Sequence, residues 1–356
     1  MTETVLQIIR FHPQEASDKE YDDYIDLLTR QFHENKPDDP SPPRDSTRRR
    51  LETIADNPVN DNRLYLIRDE DDKAIAQMGL YMTDPSAPDY DSQKEIAYAG
   101  MYILRENRKK RIGTQLLKHL VDEASANGVK SLEFASVFDS GKAFAKHIGA
   151  TVGLIEIDVE AYFADMDWQM IDDWVTDGQK RNPDTQVIHF QGLYSDDDAE
   201  LTRFAEFETA IRSDMPDGEL DGFIQFITAD KLRKEIEIEQ KRGIVSDYML
   251  AVEADGRFSG FTRINYQGDF AYRINQRVTG VLKAERGRGL GKWLKAAMLK
   301  HIQTTYPDAD LIRTSYADVN DPMMSINDRL GFKPYEETVF FKLPIDVARQ
   351  YLETNN

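Results

Sequence analysis

Six consecutive residues, Arg286-Gly287-Arg288-Gly289-Leu290-Gly291, have the types and spacing that suit chemistry on a phosphate. They follow a strand-like run and open an amphipathic helical pattern that begins with Lys292. A glycine-rich turn in that position makes backbone N–H groups converge, and the helix dipole favours a negative charge there. Glycines also let phosphate oxygens approach without a Cβ in the way. Taken alone, the hexapeptide reads equally as a surface turn. Other phosphate loops fit less well. A Walker A loop needs Gly-Lys-Ser/Thr, whereas Gly291 is followed by Lys292 and Trp293. A dinucleotide G-x-G-x-x-G follows the first strand of a parallel unit, whereas this loop follows three strands with hairpin-like turns.

The elements that must position the loop begin at Thr185, where alternating β-branched residues predict a strand. A helix is predicted at about 197–211 and, after the irregular stretch SDMPDGELDG, another at 229–241. Three strands follow, at 246–253, 257–266 and 271–282, joined by turns containing Asp255-Gly256 and Gly268-Asp269. Beyond the loop, Trp293, Leu294, Ala297, Met298 and Ile302 mark one side of a helix. A strand at 310–315, a short helix at 320–329 and a closing strand at 338–343 complete the half.

The first 157 residues repeat this plan. A strand at 6–11 precedes helices near 20–33 and 45–56 and strands near 63–69, 73–83 and 95–104. A helix at 112–126, a strand at 131–137, a short helix near 140–148 and a strand at 152–158 follow. The pattern implies a tandem duplication, divided at 1–157, a connecting segment at 158–184 and a second domain at 185–356. Trp168, Met170, Ile171 and Trp174 at helical spacing predict a packed helix in the connection.

The second half resembles the GNAT superfamily of N-acetyltransferases. The resemblance rests on V-x-x-x-x-R-G-x-G-L-G at Val281–Gly291, followed some thirty residues on by Asn320, Met323, Asn327 and Leu330-Gly331-Phe332. The two-domain layout is similar to that of mycothiol-synthase-like tandem acetyltransferases. The implied fold is α/β of the mixed α+β type. Each of two tandem GNAT domains would have a largely antiparallel twisted sheet, flanked by helices and splayed between its fourth and fifth strands.

The resemblance also implies roles. Backbone N–H groups from Gly287, Arg288, Gly289, Leu290, Gly291 and Lys292 would hold the pyrophosphate of acetyl-CoA, with Arg286 supporting the loop or pairing with phosphate. Thr279, Gly280 and Val281 would hydrogen-bond the pantetheine arm and polarise the thioester carbonyl. Asn320 would border the departing sulfur. Many members carry an acid tyrosine three residues before the Leu of L-G-F, but here Asn327 stands in that place and an amide cannot donate the proton. Tyr316 is the substitute candidate, with a buried structural tyrosine as the alternative reading. Glu285 and Asp214 are candidate bases for the amine, and each also reads as an ordinary solvated carboxylate. The acceptor would be a small-molecule amine bound by the variable region near 205–225.

In the first half the matching loop is Arg108-Lys109-Lys110-Arg111-Ile112-Gly113, where Arg111 replaces the central glycine. A side chain there is expected to obstruct close phosphate approach. Ile148-Gly149-Ala150 replaces L-G-F, so this half reads as a degenerate scaffold. His119, His147 and His301 lie on predicted helices without a ligand-spaced partner, and no metal is expected.

Composition bounds these readings. With 40% hydrophobic and 31% charged residues the chain should fold, and at 356 residues it has room for two domains. A net charge of −19 disfavours nucleic acid and anionic membranes as partners and is compatible with a cationic acceptor. The absence of cysteine excludes disulfides and thiolate sites. The opening MTETVLQIIR has no leader pattern, so a cytoplasmic location is expected. Two rival functions share the fold: a non-catalytic acyl-CoA sensor, and an acyltransferase using a longer acyl-CoA or an aminoacyl-tRNA as donor. The negative charge argues against the tRNA.

Overall fold

The structure is a computed structural model that describes residues 5–55, 60–87, 89–215, 218–220 and 226–355. Residues 1–4 of the opening stretch, residue 56 of the second predicted helix, and residues 216–217 and 221–225 of the expected acceptor region lie outside the described residues.

The first part of the chain forms β1 (Gln7–Phe11), α1 (Asp18–Asn35), α2 (Arg44–Ala55), β2 (Asn60–Arg68) and β3 (Ala74–Thr83). It continues through α3 (Tyr90–Gln93), β4 (Ile96–Ile103), α4 (Ile112–Ala126), β5 (Ser131–Ser136), α5 (Asp139–His147) and β6 (Thr151–Tyr162). The helix α6 (Trp168–Arg181) leads into β7 (Thr185–Gln191), α7 (Asp198–Ser213), α8 (Ala229–Lys241), β8 (Ile244–Glu253) and β9 (Phe258–Gln267). The chain ends with β10 (Arg273–Val281), α9 (Leu290–Thr305), β11 (Leu311–Ala317), α10 (Asp321–Arg329), β12 (Lys333–Pro344) and α11 (Ile345–Thr354). Local chemistry sets several starts. Ser17 and Glu20 form a capping box on α1. Asp197 accepts from the N–H groups of Ala199 and Glu200 at α7, and Thr228 from Lys231 at α8.

The described residues form two compact units, 5–155 with 218–220 and 338–355, and 156–215 with 226–337. In the first, strands β1-β2-β3-β4-β5-β12 are neighbours in that order. In the second, the order is β6-β11-β10-β9-β8-β7. The pairings are antiparallel except β4 with β5 and β10 with β11, which are parallel.

The closing strands depart from the repeat read along the chain. The strand expected to close the first repeat, at 152–158, instead pairs its later residues Glu156–Tyr162 with Ala317–Leu311 in the second unit. The strand expected to close the second repeat pairs its residues Val339–Pro344 with Ser136–Ser131 in the first. The helix α11, absent from the sequence reading, then packs Ala348 and Leu352 into the first unit's core beside α4. The compact units therefore do not follow the linear division at 157 and 185.

Each sheet is covered on both faces. In the second unit, Met249 and Ala251 of β8 join the cluster under α6, α9 and α10, while Tyr248 and Leu250 join the cluster under α7 and α8. Alternate residues of a strand face opposite sides, so both parities of β8 had to be apolar. Trp293 of α9 sits so close to Gly178 of α6 that a Cβ there would lie 2.3 Å from the indole, which fixes the spacing of the two helices. Among the described residues no helix is long and apolar enough to cross a membrane.

Candidate active site

In the second unit the parallel ladder between β10 and β11 runs from Arg273–Leu311 to Asn275–Arg313 and ends there. Beyond it β10 stays paired with β9 as far as Val281, with one extra residue between Gln276 and Thr279. This β-bulge bends β10 away from β11. It is pinned by side chains. Thr279 Oγ1 lies 2.7 Å from Thr262 Oγ1, and Gln276 Nε2 donates to both at 3.0 and 2.8 Å. The edge of Thr279, Gly280 and Val281 toward β11 is thus opened by the backbone itself. Gly280 faces α7, where a Cβ would meet Ile211 at 2.1 Å, so a side chain is excluded.

Val281 leads through a short helical turn to the glycine loop. Gly287 and Gly289 have φ of 83° and 84°, the left-handed region that costs other residues roughly 1–2 kcal/mol. Gly289 is the residue from which α9 starts, so the N–H groups that follow have no partner within the helix.

The two loop arginines brace this turn. Arg286 Nε donates to Val281 O at 3.2 Å and Nη2 to Asp214 Oδ2 at 3.2 Å. Arg288 turns to the protein, donating to Asn182 Oδ1 at 2.9 Å, Thr185 Oγ1 at 2.8 Å, the two oxygens of Glu253 at 3.0 and 3.1 Å, and Glu285. Of the two roles open to Arg286, loop support is the one seen. Asp214 and Glu285, the candidate bases, are both engaged by arginines. Glu285 also meets Arg257 at 3.3 Å. Arg181, which sequence reasoning missed, approaches the loop: a Cβ on Gly289 would lie 3.9 Å from its Nη1. Lys292 lies over the Trp174 ring at 5.7 Å.

At the other motif, Asn320 caps α10 by accepting from Met323 N at 3.4 Å. Asn327 is completely buried, and Lys295 Nζ donates to its Oδ1. Lys295 is 2% exposed and its ammonium lies 5.3 Å from the Phe332 ring centre. Burial pushes its pKa down to about 7. The sequence reading did not single out Lys295; the packing of Asn327 and Phe332 against it reveals the burial. Tyr316, the substitute acid, is 8% exposed within the apolar cluster that contains Leu290, Leu330 and Phe332. Burial, with Asp328 nearby, raises its phenol pKa.

The first unit has a matching gap. The ladder between β4 and β5 ends at Tyr98–Glu133. A cavity of about 80 Å³ opens beyond it, lined among others by Gly100, Met101, Phe134, Ser136, Gly141 and Phe144. Its loop keeps the same backbone path with other residues. Lys109 and Arg111 have φ of 60° and 64°, and Arg108 Nε donates to Ile103 O at 3.0 Å as Arg286 does to Val281. The Arg111 side chain turns to Asn355 O at 3.1 Å.

Residues 21–149 match the acetyltransferase (GNAT) family, so the match falls on the half whose loop departs further from the motif. No curated protein matches the chain in sequence. Among solved structures, the chain is similar in fold to a tandem GNAT protein from the clavulanic acid biosynthesis pathway. That pair shares 18% identity, with a TM-score of 0.73 and coverage of 96% of this chain and 99% of the other. It is also similar to a GCN5-related N-acetyltransferase from Sphaerobacter thermophilus, at 13% identity, a TM-score of 0.61 and coverage of 96% of each chain.

Proposed function

We propose that this chain, which carries a GNAT-family domain at residues 21–149 and the tandem GNAT fold along its length, transfers an acetyl group from acetyl-CoA directly to the amine of a small molecule. The family match supports an acyltransferase; the acetyl donor, the amine acceptor and the placement of the reaction in the second unit are our reading. One observation carries that placement. The β10–β11 ladder stops at Asn275–Arg313, and the end of the same β10 runs into the left-handed Gly287 and Gly289 turn that starts α9.

The residues fit the cofactor. An open strand edge offers an amide-bearing arm a ladder partner, and a helix N-terminus offers a pyrophosphate a row of N–H groups. Bound acetyl-CoA would supply the thioester whose acyl group is transferred. The chain's own part is to hold and orient. The edge of Thr279 to Val281 donates and accepts along the arm, the residues from Gly287 to Lys292 face the phosphates, and Arg181 and Lys292 add positive charge. Arg288 keeps the turn rigid through its five hydrogen bonds. With an amide at Asn327, proton delivery to the sulfur falls to solvent, which a thiol with a pKa near 8.5 tolerates at neutral pH.

Incubating the full chain with acetyl-CoA and a panel of small amines, while following free thiol, tests the proposal. Amine-dependent thiol release supports it. Coenzyme binding without release by any amine overturns it in favour of an acyl-CoA sensor, a reading to which the arginine-bound Asp214 and Glu285 lend support. A second reading places the coenzyme in the first unit, on the strength of the cavity beside Gly100 and Phe134 and the retained loop path. Retention of binding in Gly289→Glu would favour it.

A further inference from the structure

We propose that His189, Asp247 and His301 form a binding site for a divalent transition-metal ion of the zinc class, separate from the cofactor loop. The three lie far apart in sequence, on β7, β8 and α9 of the second unit. Their ligand atoms all fall within 4.8 Å of one another. His189 Nε2 is 2.7 Å and His301 Nε2 3.4 Å from the same oxygen, Asp247 Oδ1. An ion about 2.0–2.2 Å from each of its ligands in a tetrahedral site sets ligand atoms roughly 3.4 Å apart. His301 already meets that spacing. His189 must withdraw by about 0.7 Å, which its place on the terminal strand β7 and its half-exposed side chain allow.

The surroundings prepare the ligands. Asp247 is fully buried, and Tyr306 donates its hydroxyl to the other carboxylate oxygen, Oδ2. Gln191 Nε2 also reaches Oδ1 at 3.4 Å. Thr305 Oγ1 lies 3.4 Å from His301 Nδ1, which leaves Nε2 as the nitrogen turned to the site. That Nε2 is buried and makes no hydrogen bond of good geometry. A buried ring nitrogen whose acceptor lies 3.4 Å away without hydrogen-bond geometry is poorly satisfied, and a metal ion would satisfy it.

Imidazole and carboxylate donors suit zinc, cobalt and nickel rather than magnesium or calcium. Hydrogen-bonded outer partners such as Tyr306 and Thr305 are what such ligands ordinarily require. Three protein donors leave a further position for water or an exogenous ligand. The net charge of −19 favours cation binding. A bound ion would tie the terminal strand β7 to β8 and α9.

The test uses the full chain, free of any affinity tag and treated with chelator, titrated with Co²⁺ as the probe. One equivalent should bind with the visible bands of a four-coordinate ion, and Zn²⁺ should displace it. At a hundredfold excess of metal over Kd the melting temperature should rise by about 5 °C. His189→Gln and His301→Gln should each weaken binding by about a hundredfold or more, and Tyr306→Phe by about tenfold. His189→Gln is the decisive variant because its half-exposed site leaves the metal-free fold intact, which circular dichroism and the metal-free melting temperature would verify. Failure of the wild type to bind Co²⁺, or equal binding by a folded His189→Gln, overturns the site.

Discussion

Lys295 Nζ donates to Asn327 Oδ1 inside the second unit, where neither residue has appreciable contact with water. The pair replaces the tyrosine that the motif resemblance leads one to expect at 327 and puts a titratable amine beside a neutral partner. Among the described residues no carboxylate offsets its charge, and burial governs its pKa.

A stability slope follows from that pKa. The unfolded lysine stays protonated up to about 10.5, whereas the folded one loses its proton near 7. Between these values the unfolded chain binds more protons, so stability rises with pH across the window and is lost as pH falls back through it. At about 1.4 kcal/mol per unit the ceiling is about 5 kcal/mol. Lys295→Met should remove this slope from urea-unfolding free energies measured between pH 7 and 10. An identical slope in wild type and mutant would contradict the burial.

Gly289→Glu should abolish coenzyme binding by the second unit. The substitution puts a Cβ and a carboxylate at a residue with φ of 84°, against N–H groups meant for a phosphate. Gly289→Ala, which adds strain without charge, should bind more weakly than wild type and more tightly than the glutamate variant. Calorimetric titration with acetyl-CoA decides, and one site per chain is the expected stoichiometry for the wild type.

Arg288→Met should lower stability by roughly 2–4 kcal/mol, because it strips a cation from two largely buried glutamates. Burial pushes the Glu253 carboxyl up, but Arg288 outweighs it and holds the pKa below the ordinary range. That contribution is present above the ordinary glutamate pKa and is lost as pH falls through the lowered one. The mutant's deficit, measured by thermal melts, should therefore shrink in acid. Acetyl-CoA affinity should also fall by about tenfold as the loop loses its brace.

Tyr316→Phe should change kcat by less than about tenfold, short of the hundredfold or more that loss of a general acid costs. The phenol lies within the apolar cluster, and its raised pKa makes it a weak acid at neutral pH. An alkaline limb of the pH–rate profile that disappears in the mutant would instead assign it the proton.

Much of this molecule could be read along the chain. Alternation and helical period located most strands and helices of both halves, though not α3 or α11, because each element's buried face imposes its own spacing of apolar residues. The loop at 286–291 was legible because left-handed backbone at 287 and 289 calls for glycine. Its counterpart showed the limit of that rule: Lys109 and Arg111 hold the same conformation without glycine, where local sequence suggested a blocked loop.

What the tertiary structure decided were relations between distant residues. The stretches 152–158 and 338–343 both read as closing strands, but which sheet each joins depends on edges offered by the rest of the chain, and local propensity is silent about that. Sequence offered Arg288 only a backbone N–H role at the phosphates, and the bracing of its side chain by Glu253, Thr185 and Asn182 is a relation that packing made. His189, Asp247 and His301 share no spacing along the chain, and the burial of Lys295 rests on Asn327 and Phe332, which arrive from later elements. Period reports which residues of one element lie together; only packing between elements determines what each of them touches, and charge, burial and chemistry at these positions follow from that contact.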